Sequence, residues 1–139
     1  MLVVDASVVV TACNTPAGFV ALGKEELISP PLMWSEVRST LHEACWRHQV
    51  SPEQANKAFS ELGKIPVRCC SPEQLGFAAW KIADNLGWAK TYDAEYVALA
   101  QIFDCQLITL DARLRRGADR LGVVISLSEW YSQLEDKFP

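Results

Sequence analysis

The sequence predicts an α/β fold in which a mostly parallel sheet lies between two layers of helices. Short apolar runs rich in β-branched residues alternate along the chain with longer segments of helical periodicity. The sequence Ser-Pro-Glu, which combines a capping hydroxyl, a first-turn proline and an early acid, occurs at 51–53 and again at 71–73. Strands that alternate with helices of these lengths favour a three-layer α/β/α sandwich.

Five short apolar segments predict the strands of this sheet. The first is continuous, β-branched and followed by an acidic residue, which is typical of a buried strand, whereas the second is a weaker candidate. In chain order, the five segments are Leu2–Val4, Leu27–Ser29, 65–70, 106–110 and 123–125.

Helical periodicity and capping signals predict five longer helices. Pro31 suits the first turn of an amphipathic helix, and Gly63 ends the helix that Ser51 opens. We expect Trp34 and Trp80 to anchor the core with their large apolar rings. The predicted helices are 31–48, 51–62, a helix from the signal at 71–73 to 86, 93–103 and a last helix from 128.

Length and composition predict one folded domain over residues 1–139. Half of the residues are hydrophobic and 22% are charged, which excludes a disordered chain. The net charge of -4 lacks the basic surplus expected of a nucleic-acid-binding protein. Clustered acids neutralised by bound cations would reconcile that charge with a phosphate substrate. The last residues, 137–139, are expected to fray.

The five cysteines are odd in number and lack a CxxC spacing, so we interpret them as free thiols of a reducing cytosol. An alternative is a zinc site on one helix face from His42 and Cys45, with His48 a turn further on, although no second ligand pair follows. Neither a signal peptide nor a membrane-spanning segment is visible. We therefore expect a soluble cytoplasmic protein without membrane contacts.

Three aspartates occupy positions where an α/β sheet binds ligands. Asp5 and Asp111 each follow a predicted strand, and Asp93 opens a predicted helix. Ligands of an open parallel sheet bind beyond the carboxyl ends of its strands, so these side chains should meet at one edge. Each aspartate could instead be an ordinary helix cap. Carboxylates crowded at one site repel one another unless a cation or a shared proton is present, and a metal site explains such crowding.

Glu36 is the fourth candidate ligand. On the predicted helix it lies beside the apolar stripe, from where its side chain can reach inward, although a solvated glutamate is the alternative. Glu43 lies two turns further on, about 10 Å along the axis, which is too far to bind the same ion.

Four segments of the chain resemble the acidic motifs of PIN domains in order and spacing. The third and fourth are the most specific, and together the motifs span nearly the whole chain. The segments are residues 3–7 (VVDAS), 35–37 (SEV), 92–100 (YDAEYVALA) and 107–111 (LITLD).

The resemblance to PIN domains, and among them to VapC-type toxins, implies an endonuclease that cuts RNA. It implies a Mg2+ or Mn2+ ion as cofactor, a separate VapB-like antitoxin whose tail blocks the acidic site, and a toxin homodimer. Ser7 and Thr109 match hydroxyl positions that often flank the site, although a helix cap and a strand residue are equally good interpretations. The implied metal-binding and catalytic residues are Asp5, Glu36, Asp93 and Asp111.

Basic residues near the last two acids are candidates for RNA contacts. They could grip the phosphates that flank the cut, although a solvated helix face is the alternative for each one. The candidates are Lys90, Arg113, Arg115 and Arg116.

Three other functions fit the sequence poorly. A phosphotransfer receiver would need a lysine beyond a late strand, and residues 126–128 supply none. A haloacid-dehalogenase-like phosphatase would need an aspartate where Ser7 stands, and a dinucleotide-binding domain would need a glycine before Gly18. The remaining alternative is a catalytically silent PIN-like module that binds protein or RNA without cutting it.

Overall fold

A computed structural model of the chain describes residues 1–137. Five parallel strands form one sheet in the order β3-β2-β1-β4-β5, which confirms the predicted α/β class with a parallel central sheet. The strands are β1 (Leu2–Val4), β2 (Leu27–Ser29), β3 (Val67–Cys69), β4 (Gln106–Thr109) and β5 (Val124–Ser126).

Helices connect the strands as crossovers, which parallel pairing requires. Two short 3-10 turns, at Val20–Leu22 and Asp119–Leu121, complete the path through the described residues. The helices are α1 (Ala6–Cys13), α2 (Leu32–Trp46), α3 (Pro52–Leu62), α4 (Leu75–Leu86), α5 (Tyr92–Ile102), α6 (Ala112–Gly117) and α7 (Leu127–Lys137).

The central strands β1 and β4 set the position of the candidate site. They pair in parallel register, with Val4 opposite Ile108, and both side chains are fully buried. Continuously apolar strands of this kind are buried on both faces by the covering helices. Because β1 and β4 end side by side, Asp5 and Thr109 meet at the carboxyl edge of the sheet.

One of the two Ser-Pro-Glu signals begins a helix as predicted. Ser51 and Gln54 form a capping box at the start of α3, in which each side chain bonds the other residue's backbone N–H. The second prediction is wrong, because α4 begins only at Leu75 and has no side-chain cap. The Leu75 N–H donates to the Pro72 carbonyl at 3.0 Å, so a tight turn precedes the helix.

The start of the last helix also differs from its prediction at Ser128. Helix α7 begins at Leu127, directly after β5, with Ser126 as the capping residue. The Ser126 hydroxyl accepts from the Glu129 N–H at 3.1 Å, and the Glu129 carboxylate accepts from the Ser126 N–H at 2.7 Å. Lys137 still lies in α7, and residues 138 and 139 lie outside the described residues.

The two tryptophans expected in the core differ in burial. Trp34 is partly buried and packs against the core, as predicted. The prediction is wrong for Trp80, which is 64% exposed because α4 buries the opposite side, including Ala79 and Ala83.

The five cysteines are free. Among residues 1–137, no helix combines the length and apolarity needed to cross a bilayer.

Candidate active site

Asp5 follows β1 and is buried at the edge of the sheet, with 4% of its surface exposed. Its Oδ1 accepts from the Ser7 hydroxyl at 2.6 Å and the Val8 N–H at 3.2 Å, and its Oδ2 accepts from the Thr109 hydroxyl. Burial raises the pKa of the Asp5 carboxyl, and these three donors oppose that rise. Asp5 therefore caps α1 and holds a carboxylate in a fixed orientation.

Glu36 lies in the second turn of α2 and reaches across to α5. The Tyr96 hydroxyl, on a side chain that is 1% exposed, donates to Glu36 Oε1 at 2.6 Å. Burial raises the pKa of the Glu36 carboxyl, the Tyr96 hydrogen bond lowers it, and the charges of Asp93 and Asp5 raise it. The buried phenol thus fixes one oxygen of Glu36 and leaves the other available.

Asp93 and Asp111 lie at the N-terminal ends of α5 and α6. Asp111 caps α6 by accepting from the Arg113 and Leu114 N–H groups, whereas Asp93 lies inside the first turn that follows Thr91. The Arg113 guanidinium Nη2 lies 3.4 Å from Asp93 Oδ2 and 3.9 Å from Asp111 Oδ2. Burial raises the pKa of Asp93, Arg113 lowers it, and Asp111 raises it. The positive charge of Arg113 therefore bridges the carboxylates of Asp93 and Asp111.

The structure brings all four predicted acids to one edge of the sheet. Glu36 and Asp93 line the same cavity of about 530 Å³, and Arg113 links Asp93 to Asp111. The negative charge of Asp111 also raises the pKa of Asp5. Carboxylates that repel one another in this way stay ionised together only when positive charge compensates them.

The chemistry of these side chains fits a divalent cation. Carboxylate oxygens are the ligands that Mg2+ and Mn2+ prefer, and Mg2+ keeps several waters alongside one or two carboxylates. Among residues 1–137, no three histidine, cysteine, aspartate or glutamate side chains are placed to hold an ion together. The alternative zinc site of His42, Cys45 and His48 is therefore not formed among these residues. Among the four acids, Asp93 and Asp111 have the Arg113 guanidinium between their carboxylates.

Comparison with known families decides the identity of the fold. Residues 2–120 match the family model of the PIN domain. The chain belongs to the PIN domain family. A solved structure, that of PAE2754 from Pyrobaculum aerophilum, superposes on this PIN domain with a TM-score of 0.74 and covers 97% of this chain and 95% of its own, at 19% identity. That likeness confirms the three-layer fold.

Curated relatives of this PIN domain carry the name VapC. Ribonuclease VapC9 of Mycobacterium tuberculosis is 33% identical over 115 residues, which cover 82% of this chain and 88% of that protein. Ribonuclease VapC1 of the same organism is 36% identical over 118 residues, covering 81% of this chain and 86% of the other. The predicted membership of the VapC group of PIN domains is therefore confirmed.

The four predicted RNA-contacting residues have different surroundings in this PIN domain. Lys90 and Arg113 line the cavity beside the acids, and Arg116 lies on an adjoining groove of α6. Arg115 instead pairs with Glu129 at 2.7 Å and with Asp119, so it ties α6 to α7. The exposed cations next to the acids are therefore the better placed for phosphate contacts.

The sequence analysis missed Tyr96 as a residue of the site. Its signal is a lone hydroxyl in the otherwise apolar run 96–100, one helical turn after Asp93. Helical spacing places Tyr96 and Asp93 on the same side of α5, but it does not show that the phenol meets Glu36, which is 60 residues away.

Tyr96→Phe should weaken metal binding while leaving the fold intact. The variant removes only the hydroxyl that orients Glu36, and loss of an orienting hydrogen bond to a ligand typically costs 10- to 100-fold in affinity. We expect the Kd for Mn2+, measured by calorimetry, to rise by about 10-fold. Tyr131→Phe is the matched control, because Tyr131 is exposed on α7. An equal Kd for Tyr96→Phe and the control would remove Tyr96 from the site.

Proposed function

We propose that the chain is a Mg2+- or Mn2+-dependent endoribonuclease, with one nuclease domain over residues 1–139, that acts as the toxin of a type II toxin–antitoxin pair. The observation that carries the proposal is the gathering of four carboxylates from separate segments beside a cavity that also presents cations. The ribonuclease names of the curated relatives support the same activity.

In the proposed mechanism, Asp5, Glu36, Asp93 and Asp111 would hold the divalent ion once Arg113 has released Asp93 and Asp111. When bound, that ion supplies Lewis-acid stabilisation of charge at the scissile phosphate and makes water more acidic. Asp5 is fixed by its hydroxyl and backbone donors, and Glu36 by Tyr96, so both keep their orientation when RNA enters. Asp5 and Glu36 therefore need no reorientation during the reaction.

A carboxylate at the cavity orients the attacking water and accepts its proton as the water oxygen bonds to phosphorus. The P–O bond to the leaving ribose oxygen breaks, and that oxygen takes a proton from solvent. Glu36 and Asp93 are suited to this role because both line the cavity and burial raises the pKa of each. Lys90 and Arg113 lie on the same cavity, where their charges can hold the phosphates beside the cut. Arg113 can bind a phosphate only after it has released Asp93 and Asp111, whose charges a bound ion would neutralise.

A cleavage assay tests the proposed activity. The purified chain is incubated with a single-stranded RNA of mixed sequence in Mg2+, in Mn2+ and in excess chelator. Internal cuts that require the ion are the expected result. RNA binding without cleavage in either ion would favour a catalytically silent binding module instead.

Replacing Lys90 and Arg116 together by alanine should weaken RNA binding. Both are exposed, Lys90 on the cavity of Glu36 and Asp93 and Arg116 on an adjoining groove. Each phosphate contact on a single strand contributes about 0.7 to the slope of log K against log salt. We expect affinity to fall by about 10-fold and the slope to become shallower by about 1.4. Fluorescence anisotropy over a salt series measures both quantities.

The matched control for this pair is the double variant Lys57→Ala and Lys64→Ala. It removes the same charge from a different cavity, between the end of α1 and helix α3. If the two double variants lower RNA affinity and slope equally, net charge alone explains the effect and the assignment of Lys90 and Arg116 fails.

The proposed toxin also needs partners, namely a VapB-like antitoxin whose tail blocks the acidic site and a second copy of the chain. Two exposed aromatic patches offer surface for such contacts. Phe77 and Trp80 lie on α4, and Trp46 and Phe59 line a groove of about 840 Å³ between α2 and α3. A cytoplasmic location suits both the RNA substrate and the free cysteines. Light scattering tests the homodimer, and a monomeric mass at all concentrations would contradict it.

A further inference from the structure

Two aromatic side chains line the cavity that holds Glu36 and Asp93. Tyr92 precedes Asp93 directly and is 57% exposed, whereas Ala94 is fully buried. Trp88 lines the same cavity from the segment before α5 and is partly buried. Neither ring has a part in holding the metal or moving a proton in the proposed mechanism.

The Trp88 ring is held in a defined position. The Trp88 backbone N–H donates to the Ala83 carbonyl at 2.8 Å, and Gly87 before it takes a left-handed conformation, with φ of 70°, that ends α4. The indole packs onto α6 at Gly117, where a Cβ atom would lie only 3.1 Å from Trp88 Cζ2. Gly117 therefore leaves the space that this ring occupies, and Trp88 forms a fixed wall of the cavity.

The cavity combines the three kinds of group that a single-stranded nucleotide needs. The carboxylates on one side of the cavity can bind the phosphate through a cation. Lys90 and Arg113 can bind flanking phosphates, and Trp88 and Tyr92 offer aromatic faces. Unstacked bases of single-stranded RNA bind by stacking on aromatic side chains, and this preference tolerates different sequences. A base in a duplex is already stacked and is not free to enter such a cavity.

We propose that Trp88 and Tyr92 form a nucleobase subsite that receives one unpaired base of the RNA next to the cut. The inference rests on the proposed ribonuclease function and assigns two residues beyond the acids to substrate positioning. One base enters the cavity beside the aromatic rings, and its phosphate reaches the carboxylates.

Binding of a labelled RNA oligonucleotide tests the subsite. Ca2+ replaces Mn2+ in the assay, because it also binds through oxygen ligands, and a gel verifies that the RNA stays intact. Tyr92→Ala should weaken binding by about 10-fold, a typical loss for one stacked base, and Tyr92→Phe should bind as the original chain does because it retains the ring. Equal affinity of Tyr92→Ala and Tyr92→Phe would overturn the proposal for Tyr92.

Abasic oligonucleotides identify the base that stacks. Removing one base at a time should weaken binding to the original chain by about 10-fold at a single position. The same abasic RNA should bind Tyr92→Ala with no further loss, because the partner of the missing ring is already absent. Losses that are equal for both proteins at every position would overturn the subsite.

Gly117→Ala tests Trp88 without changing any charge. The added methyl group would lie 3.1 Å from the indole, which must then move by a few tenths of an ångström. RNA affinity should fall, and a shift in tryptophan fluorescence should report the movement. Gly76→Ala is the matched control, because that helical glycine has open space around it. A displaced indole with unchanged affinity would remove Trp88 from the subsite. Absence of any RNA binding by the original chain would instead contradict the proposed function itself.

Discussion

Asp93→Asn and, separately, Asp5→Asn should each abolish detectable RNA cleavage in Mn2+. Each variant keeps the shape of the side chain but removes one negative charge from the proposed ion site. A bound cation stabilises the transition state of phosphate hydrolysis by several kcal/mol, which corresponds to a rate loss of about 100-fold or more. Initial rates on a defined single-stranded RNA, at saturating Mn2+, measure the loss.

Two neighbouring carboxylates provide controls for this result. Glu95→Gln removes a charge from the same turn of α5 as Asp93, and Glu43→Gln removes one from α2 two turns beyond Glu36. Neither side chain lines the cavity of Glu36 and Asp93. Both controls should cleave within about 3-fold of the original rate, because Glu43 is exposed and distant from the site and Glu95 acts on Glu36 only through its charge. Full activity of Asp93→Asn or Asp5→Asn would contradict the assignment of the site.

Adding Mn2+ should raise the melting temperature at neutral pH by roughly 10 °C. An ion that binds only the folded chain at about 100 times its Kd adds about 2.7 kcal/mol of stability. For a chain of this length, that free energy corresponds to a shift of this size. The ion also relieves the repulsion among four gathered carboxylates, which Arg113 compensates only in part. Differential scanning calorimetry with and without chelator measures the shift.

The stabilisation by Mn2+ should grow with pH. Burial raises the folded-state pKa of Asp5, Glu36 and Asp93 above their ordinary values near about 4. A raised carboxyl pKa favours folding at low pH, and that contribution is lost as pH rises from the unfolded pKa through the folded one. Metal ligands must be ionised, so binding strengthens over the same range.

The shift at pH 7.5 should therefore exceed the shift at pH 5. Asp93→Asn should show a smaller shift at both values and a weaker pH dependence, because one raised carboxyl is absent. A Mn2+ shift that is the same at both pH values in the original chain would contradict the proposed ionisation of the site.

Local sequence patterns were sufficient for most of the secondary structure. The apolar run Leu2–Val4 is a buried strand as predicted, and the Ser-Pro-Glu signal at 51–53 marked the start of α3. The same Ser-Pro-Glu signal failed at 71–73, where backbone turn bonding took precedence over the capping hydroxyl. Capping residues select a helix start only when the following backbone is free to continue as helix.

The positions of the four acids illustrate both the reach and the limit of sequence reasoning. Asp5 and Asp111 follow the neighbouring strands β1 and β4, so parallel topology alone predicts that they share an edge. Two of the acids, Asp5 and Asp111, are also helix caps, so the capping alternative and the site interpretation hold together. The two oxygens of a carboxylate have about four lone-pair sites, so one side chain can both cap a helix and bind an ion.

The sequence by itself determined the five strands, five of the seven helices in residues 1–137, the α/β class and the edge at which the acids gather, because these follow from hydrophobic period and chain connectivity. It did not predict the short helices α1 and α6. Only the tertiary structure decided that Tyr96 meets Glu36, that Arg115 pairs with Glu129, and that Trp80 faces outward. The physical reason is that periodicity specifies which side of a helix is buried, whereas a polar atom's partner depends on how separate helices pack together.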